Sequence, residues 1–167
     1  RAVGTSVLDR PTPRLWSSTG SPDLCALPAS AGARHTDCMP RLIAEPTRIP
    51  VPGGKVIDEH VGRVTAADLP LGQAVSVARM VAPAGWTEPF QTPEFDEITV
   101  VTAGSVIVDH DGGPTTVLAG QTLVTFAGER IRYSCGPEGA EYVAVCLPAF
   151  SPDTVHREDE TETEVSA

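Results

Sequence analysis

Between about residues 42 and 148 the apolar positions fall in short runs alternating with polar ones, and a turn signal follows nearly every run. A period of two marks half-buried strands, and no helix longer than a turn or two is needed anywhere in this stretch. The pattern predicts strands over residues 55–61, 74–82, 95–103, 105–109, 115–118, 122–126, 130–134 and 141–147. Between them stand Ala103 and Gly104, residues 111–114 (Asp-Gly-Gly-Pro), Ala119 and Gly120, Ala127 and Gly128, and residues 136–139 (Gly-Pro-Glu-Gly). Gly admits positive φ and Pro fixes φ, so each of these is expected to reverse the chain. Eight or so strands at this spacing predict an all-β sandwich or barrel.

The two ends lack this ladder. Residues 1–38 follow neither the helical nor the strand period and are rich in Ser, Thr, Pro, Gly and Arg, and the first Met of the chain is Met39. They are expected to be a disordered or non-native leader, the alternative being an ordered arm packed on the barrel or on a second subunit. Residues 151–167 carry six acidic residues and one Arg, which predicts a solvated acidic tail at the extreme end. Phe150 and Val155 are apolar anchors, so the piece just after the last strand reads either as a lid over the barrel mouth or as idle surface.

A chain of 167 residues holds one domain with a real core. The formal net charge of −10 argues against a nucleic-acid partner, because phosphate neutralisation needs clustered Lys and Arg. No apolar run approaches the roughly 20 residues of a membrane span, and no membrane partner is expected. Cys25, Cys38, Cys135 and Cys146 show no CxxC spacing, so a cytoplasmic protein with reduced, buried thiols is expected.

The stretch from Pro83 to Gly104 (PAGWTEPFQTPEFDEITVVTAG) resembles the first cupin motif, G-x5-H-x-H-x3,4-E-x6-G. From Gly85, the two His positions fall on Gln91 and Pro93, the Glu on Glu97 and the closing Gly on Gly104. The second motif, G-x5-P-x-G-x2-H-x3-N, falls on Gly120, Phe126, Gly128, Ile131 and Cys135. The resemblance spans about residues 42–150 and implies a single cupin jelly-roll β-barrel of the RmlC-like kind. It also implies where a metal would sit in such a protein, and there this chain departs. All three His positions are lost, to Gln91, Pro93 and Ile131, and only Glu97 survives. No cofactor is therefore expected, and any metal would fall to Gln91, Glu94 and Glu97, a set suited only to a weak, hard cation. The Glu94-Phe-Asp-Glu-Ile run is also similar to the ethanolamine-utilisation branch of the cupins, which implies a pocket without the usual histidines.

Strand alternation gives the candidate site. With Glu97 inward, Phe95, Thr99 and Val101 share its face, while Asp96, Ile98 and Val100 face away. With Ile131 and Cys135 inward, Tyr133 joins them. Glu97 and Tyr133 are the candidate catalytic residues, and Gln91, Arg79, Trp86, Phe90, Cys135 and His156 the candidate ligand contacts. Each has a plainer reading. Glu97 also reads as a buried carboxylate paired with Arg79 or Arg132, and Tyr133 and Cys135 as core residues. Trp86 and Phe90 read either as a rim of the mouth or as ordinary packing. The function expected is a protein that binds a small organic metabolite, with metal-independent acid–base chemistry of an isomerase, lyase or cyclase kind. The alternatives are a non-catalytic ligand sensor or structural dimer, and a metal enzyme with an atypical Gln/Glu site. A homodimer is the assembly expected from the resemblance.

Overall fold

The computed structural model describes residues 40–158, and the leader and most of the acidic tail lie outside them. Strands account for most of it: β1 (Thr47–Ile49), β2 (Val56–Val61), β3 (Ser76–Ala82), β4 (Asp96–His110), β5 (Gly113–Leu118), β6 (Thr122–Thr125) and β7 (Arg132–Leu147). The helical pieces are a single turn, α1 (Leu71–Ala74), and a 3-10 turn at Pro152–Thr154. Among the described residues no helix is long and apolar enough to cross a membrane.

All pairings between these strands are antiparallel, in the order β1-β2-β3-β7-β4-β5, with β6 on the first half of β4. The strand spacing thus resolves into one sheet, curled about a common core. Alternation sets which residues fill it: Val101, Val106, Val108, Ile131 and Tyr133 are buried to within 2%. Burying aliphatic side chains of this size stabilises a fold by about 1.5–3 kcal/mol each.

Two of the expected reversals do not occur. Ala103 and Gly104 lie inside the continuous strand β4, and residues 136–139 lie inside β7. β4 and β7 pair from Asp96↔Leu147 to Asp109↔Arg132, and the register shifts between Val101 and Ala103 and between Gly104 and Val106. These glycines mark bulges where two long strands bend together. A bulge and a turn ask for the same positive φ, so local sequence does not separate them. Gly104 has φ +67°, and a Cβ there would come within 2.0 Å of the Gly139 carbonyl oxygen. The other three reversals fall between strands, at β4–β5, β5–β6 and β6–β7. β1 had no signal strong enough to predict it. The start of the predicted 74–82 strand is taken by the end of α1.

The contact at Gly104 makes a comparison between two glycines informative. Gly120 also has positive φ, +85°, but a Cβ there would meet nothing within 4 Å. Gly120→Ala should cost only the strain of a left-handed residue, about 1–2 kcal/mol. Gly104→Ala adds a backbone clash and should cost clearly more, about 3 kcal/mol or above, in urea unfolding. Equal losses would mean that β4 and β7 do not pack this closely.

Candidate functional site

Residues 87–91 run antiparallel to the start of β7. The Gln91 N–H donates to the Ile131 carbonyl at 2.8 Å, the Ile131 N–H returns the bond at 2.9 Å, and the Glu88 N–H reaches the Tyr133 carbonyl at 3.1 Å. The chain after β7 lies along the same segment. The Thr92 and Glu94 N–H groups donate to the His156 and Thr154 carbonyls, and the Glu158 N–H donates to the Phe90 carbonyl. Glu88 and Gln91 are thus carried on an extended segment held from both sides. They face a cavity of about 310 Å³ whose walls include Ile57, Met80, Phe95 and Phe150. Glu97 enters it from β4, Tyr133 and Tyr142 from β7, Lys55 from the turn before β2, and Arg157 from the C-terminal segment.

The polar groups inside form two linked sets. Thr99 Oγ1 donates to Glu97 Oε1 at 3.0 Å and lies 3.2 Å from the Tyr133 hydroxyl. A threonine hydroxyl has one proton, so the Tyr133 O–H donates to Thr99 and the order runs Tyr133 to Thr99 to Glu97. Thr125 lies 3.5 Å behind the Tyr133 oxygen. In the second set Gln91 Nε2 donates to Glu88 Oε1 at 3.1 Å. Lys55 Nζ and Arg157 Nη2 stand 4.0 and 3.9 Å from Glu88 Oε2. Both distances exceed hydrogen-bond length. Lys55 Nζ also lies over the Trp86 ring, 3.9 Å from its centre.

Burial governs the protonation of these groups. It pushes the Glu97 carboxyl above the ordinary glutamate value, and the neighbouring Glu88 charge pushes the same way. Burial also raises Glu88, against the pull of Lys55 and Arg157. It lowers the Lys55 ammonium, against both carboxylates. The Tyr133 hydroxyl is held well above the ordinary tyrosine value by burial and by Glu97, which keeps it a proton donor in its hydrogen bond. Cys146, whose Sγ is 3.9 Å from Glu97 Oε2, is likewise pushed up by burial and stays a thiol.

Of the residues singled out in the sequence, the cavity gathers Glu97, Tyr133 and Gln91. Arg79 is outside it, donating to Glu141 at 2.9 Å and standing 3.6 Å from Asp58. Arg132 pairs with Asp109 at 2.9 Å, so neither arginine neutralises Glu97. Trp86 packs against the core and beneath Lys55 instead of on the cavity wall. Phe90 stacks with the Arg130 and Arg132 guanidinium groups, at 3.7 and 4.6 Å. Cys135 is a free thiol buried in the core, and His156 pairs at the surface with Glu94, at 2.6 Å. Lys55 and Glu88 were not foreseen, and Arg157 only as part of the segment read as a lid. They lie 33 to 102 residues apart in the chain, and no local motif links them. Glu59 also borders the cavity, but its carboxylate is taken up by the Val64 and Thr65 N–H groups, at 2.9 and 2.6 Å.

The metal site of the motif does not fit these residues. Ile131 is buried among aliphatic groups and Pro93 offers no donor atom. Among the described residues no three His, Cys, Asp or Glu side chains gather as ligands. Glu94 is turned outward to His156, away from Gln91 and Glu97. The cationic group near Glu88 and Glu97 is the lysine ammonium of the chain itself.

No family model matches the chain. A curated relative, Endoribonuclease YbeY of Myxococcus xanthus, is 40% identical over 111 residues, which are 66% of this chain but only 36% of that protein. Oxalate decarboxylase from Bacillus subtilis superposes with a TM-score of 0.59 at 18% identity, over 70% of this chain and 31% of that one. This chain therefore spans about a third of the length of each of these two proteins. An RmlC-like cupin from Shewanella frigidimarina superposes with a TM-score of 0.53 at 15% identity, over 65% of this chain and 89% of that one. The putative ethanolamine utilisation protein of Salmonella typhimurium reaches a TM-score of only 0.48, too loose to carry an argument. Likeness at these identities speaks to fold alone, and the fold of this chain is the cupin fold that the Shewanella RmlC-like protein and oxalate decarboxylase share.

Proposed function

We propose that the chain binds a small organic molecule in this cavity and moves a proton on it, with Glu97 as the proton-transfer group and no metal. The observation that carries the reading is the placing of Glu97. It faces the cavity, accepts a hydrogen bond from Thr99, and among the described residues has no cation within ion-pair distance. Burial raises its pKa, which is the direction a carboxyl needs to serve as a general acid or base. Thr99, itself held by Tyr133, binds one oxygen of the carboxyl, and the other has only the weak Cys146 thiol contact at 3.9 Å, which a ligand can replace. The Lys55 ammonium would stabilise negative charge that develops on the substrate. Such a set supports isomerisation, elimination or cyclisation. The endoribonuclease activity named for the Myxococcus protein is not carried over, because this chain covers 36% of it and has a net charge of −10.

A thermal-shift screen with a metabolite library supplies ligands, and Glu97→Gln then tests the role, since it preserves shape and removes the charge. Binding or turnover should fall tenfold or more, about the scale of one charged hydrogen bond. A variant that retains full affinity and turnover but melts much earlier would show that Glu97 serves structure only.

The raised Glu97 pKa also has a consequence for stability. Above the ordinary glutamate value the unfolded chain releases this proton while the folded chain still holds it. The stability contributed by that proton is present at low pH and is lost as pH rises through the folded-state pKa. Glu97→Gln should therefore melt higher relative to the parent at pH 8 than at pH 4. A parent that gains on the variant as pH rises would contradict the shift.

A further inference from the structure

Two polar groups in the cavity have no hydrogen-bond partner among the described residues, and a second cation stands beside them. The Lys55 ammonium is nine-tenths buried, and its nearest carboxylate oxygen is 4.0 Å away, beyond hydrogen-bond reach. Arg157 stands at 3.9 Å from the same oxygen, with half of its side chain exposed. Gln91 Oε1 is buried and has no hydrogen-bond partner among the described residues. The Gln91 amide cannot simply turn over to solve this, since Nε2 donates to Glu88 Oε1 at 3.1 Å. A buried amide oxygen left without a donor costs about as much as a lost hydrogen bond, so an occupant that supplies one is favoured.

These requirements describe a ligand. Lys55 and Arg157 offer donors and positive charge to an anionic oxygen acceptor. Gln91 Oε1 accepts, and so calls for a hydroxyl or N–H on the ligand. Charge decides between those two. A ligand amine would be a cation placed against Lys55 and Arg157, whereas a hydroxyl is neutral. The remaining walls, with Ile57, Met80, Phe95 and Phe150, suit a hydrocarbon portion.

We propose that the cavity takes a small hydroxycarboxylic acid, its carboxylate on Lys55 and Arg157, its hydroxyl donating to Gln91 Oε1 and its hydrocarbon part on the apolar walls. This rests on the reading of the cavity as a small-molecule site and adds the class of molecule.

The test uses the full chain and a matched set of probes by calorimetry: 2-hydroxy- and 3-hydroxy-4-methylpentanoate, 4-methylpentanoate lacking the hydroxyl, and the hydroxy amides lacking the charge. At least one hydroxy acid should bind tenfold or more tightly than both its deoxy and its amide counterparts. Lys55→Met should abolish the preference for acid over amide. Gln91→Leu should reverse the preference for hydroxy over deoxy acid, an outcome that a structural role for Gln91 would not produce. If Lys55→Met melts too early to assay, Arg157→Gln, at a half-exposed position, should lower the acid-over-amide preference severalfold. Equal binding of acid and amide, equal binding of hydroxy and deoxy acid, or no binding of any probe at millimolar concentration would overturn the proposal. A neutral or cationic compound whose binding depends on Glu97 would overturn this ligand class and leave the proton-transfer role of Glu97 standing.

Discussion

Backbone hydrogen bonds between β4 and β7 run almost the full length of both strands, and β3, β5 and β6 each attach directly to one of the pair. The two strands can stay paired over that length only by bending together where Gly104 backs onto Gly139. With the bend in place, the first half of β4 presents Glu97 and Thr99 inward, and the first half of β7 presents Tyr133 to the same interior. The Tyr133–Thr99–Glu97 chain of hydrogen bonds joins residues that lie at opposite ends of the ladder in register terms, Glu97 opposite Cys146 and Tyr133 opposite Val108. A flat sheet would keep those residues apart.

Placing ionisable groups in such an interior carries a desolvation cost, and the cavity offsets it in an incomplete way. Glu88 is flanked by two cations without a hydrogen bond to either, and Lys55 gains from the Trp86 ring what it lacks in acceptors. Among the described residues Glu97 has no cation at ion-pair distance, and burial shifts it toward its protonated form. The ion pairs outside the cavity are short and direct by comparison, Arg132 with Asp109 and Arg130 with Glu158 among them. Lys55, Glu88 and Gln91 at the cavity are left partly unsatisfied, which supports the proposed reading of the cavity as a binding site.

The C-terminal segment after β7 takes part in this interior. Phe150 meets Phe95 edge-on at 5.8 Å, Val155 is buried beside them, and Arg157 follows at the cavity. The apolar anchors at Phe150 and Val155 were visible as such in the chain. The polar contribution, though, comes from Arg157, while the expected contact His156 points outward to Glu94. A 3-10 turn at Pro152–Thr154 redirects the backbone, so alternation counted from Phe150 does not carry across it, whereas Val155 and Arg157 beyond it both border the cavity.

By itself the sequence determined the strand periodicity, three of the five reversals, the inward face of β4 and the loss of imidazole from the motif positions. These depend on side-chain alternation, on φ preferences and on residue identity, all of which are local. Only the tertiary structure decided whether a glycine at positive φ ends a strand or bends it, because that depends on whether a second backbone approaches, as Gly139 does Gly104. Only the tertiary structure, too, brought Lys55, Glu88 and Arg157 to Glu97 and Gln91. Their charges act over a few ångströms through a cavity of low polarity, and a distance of that kind is set by long-range strand pairing rather than by spacing along the chain.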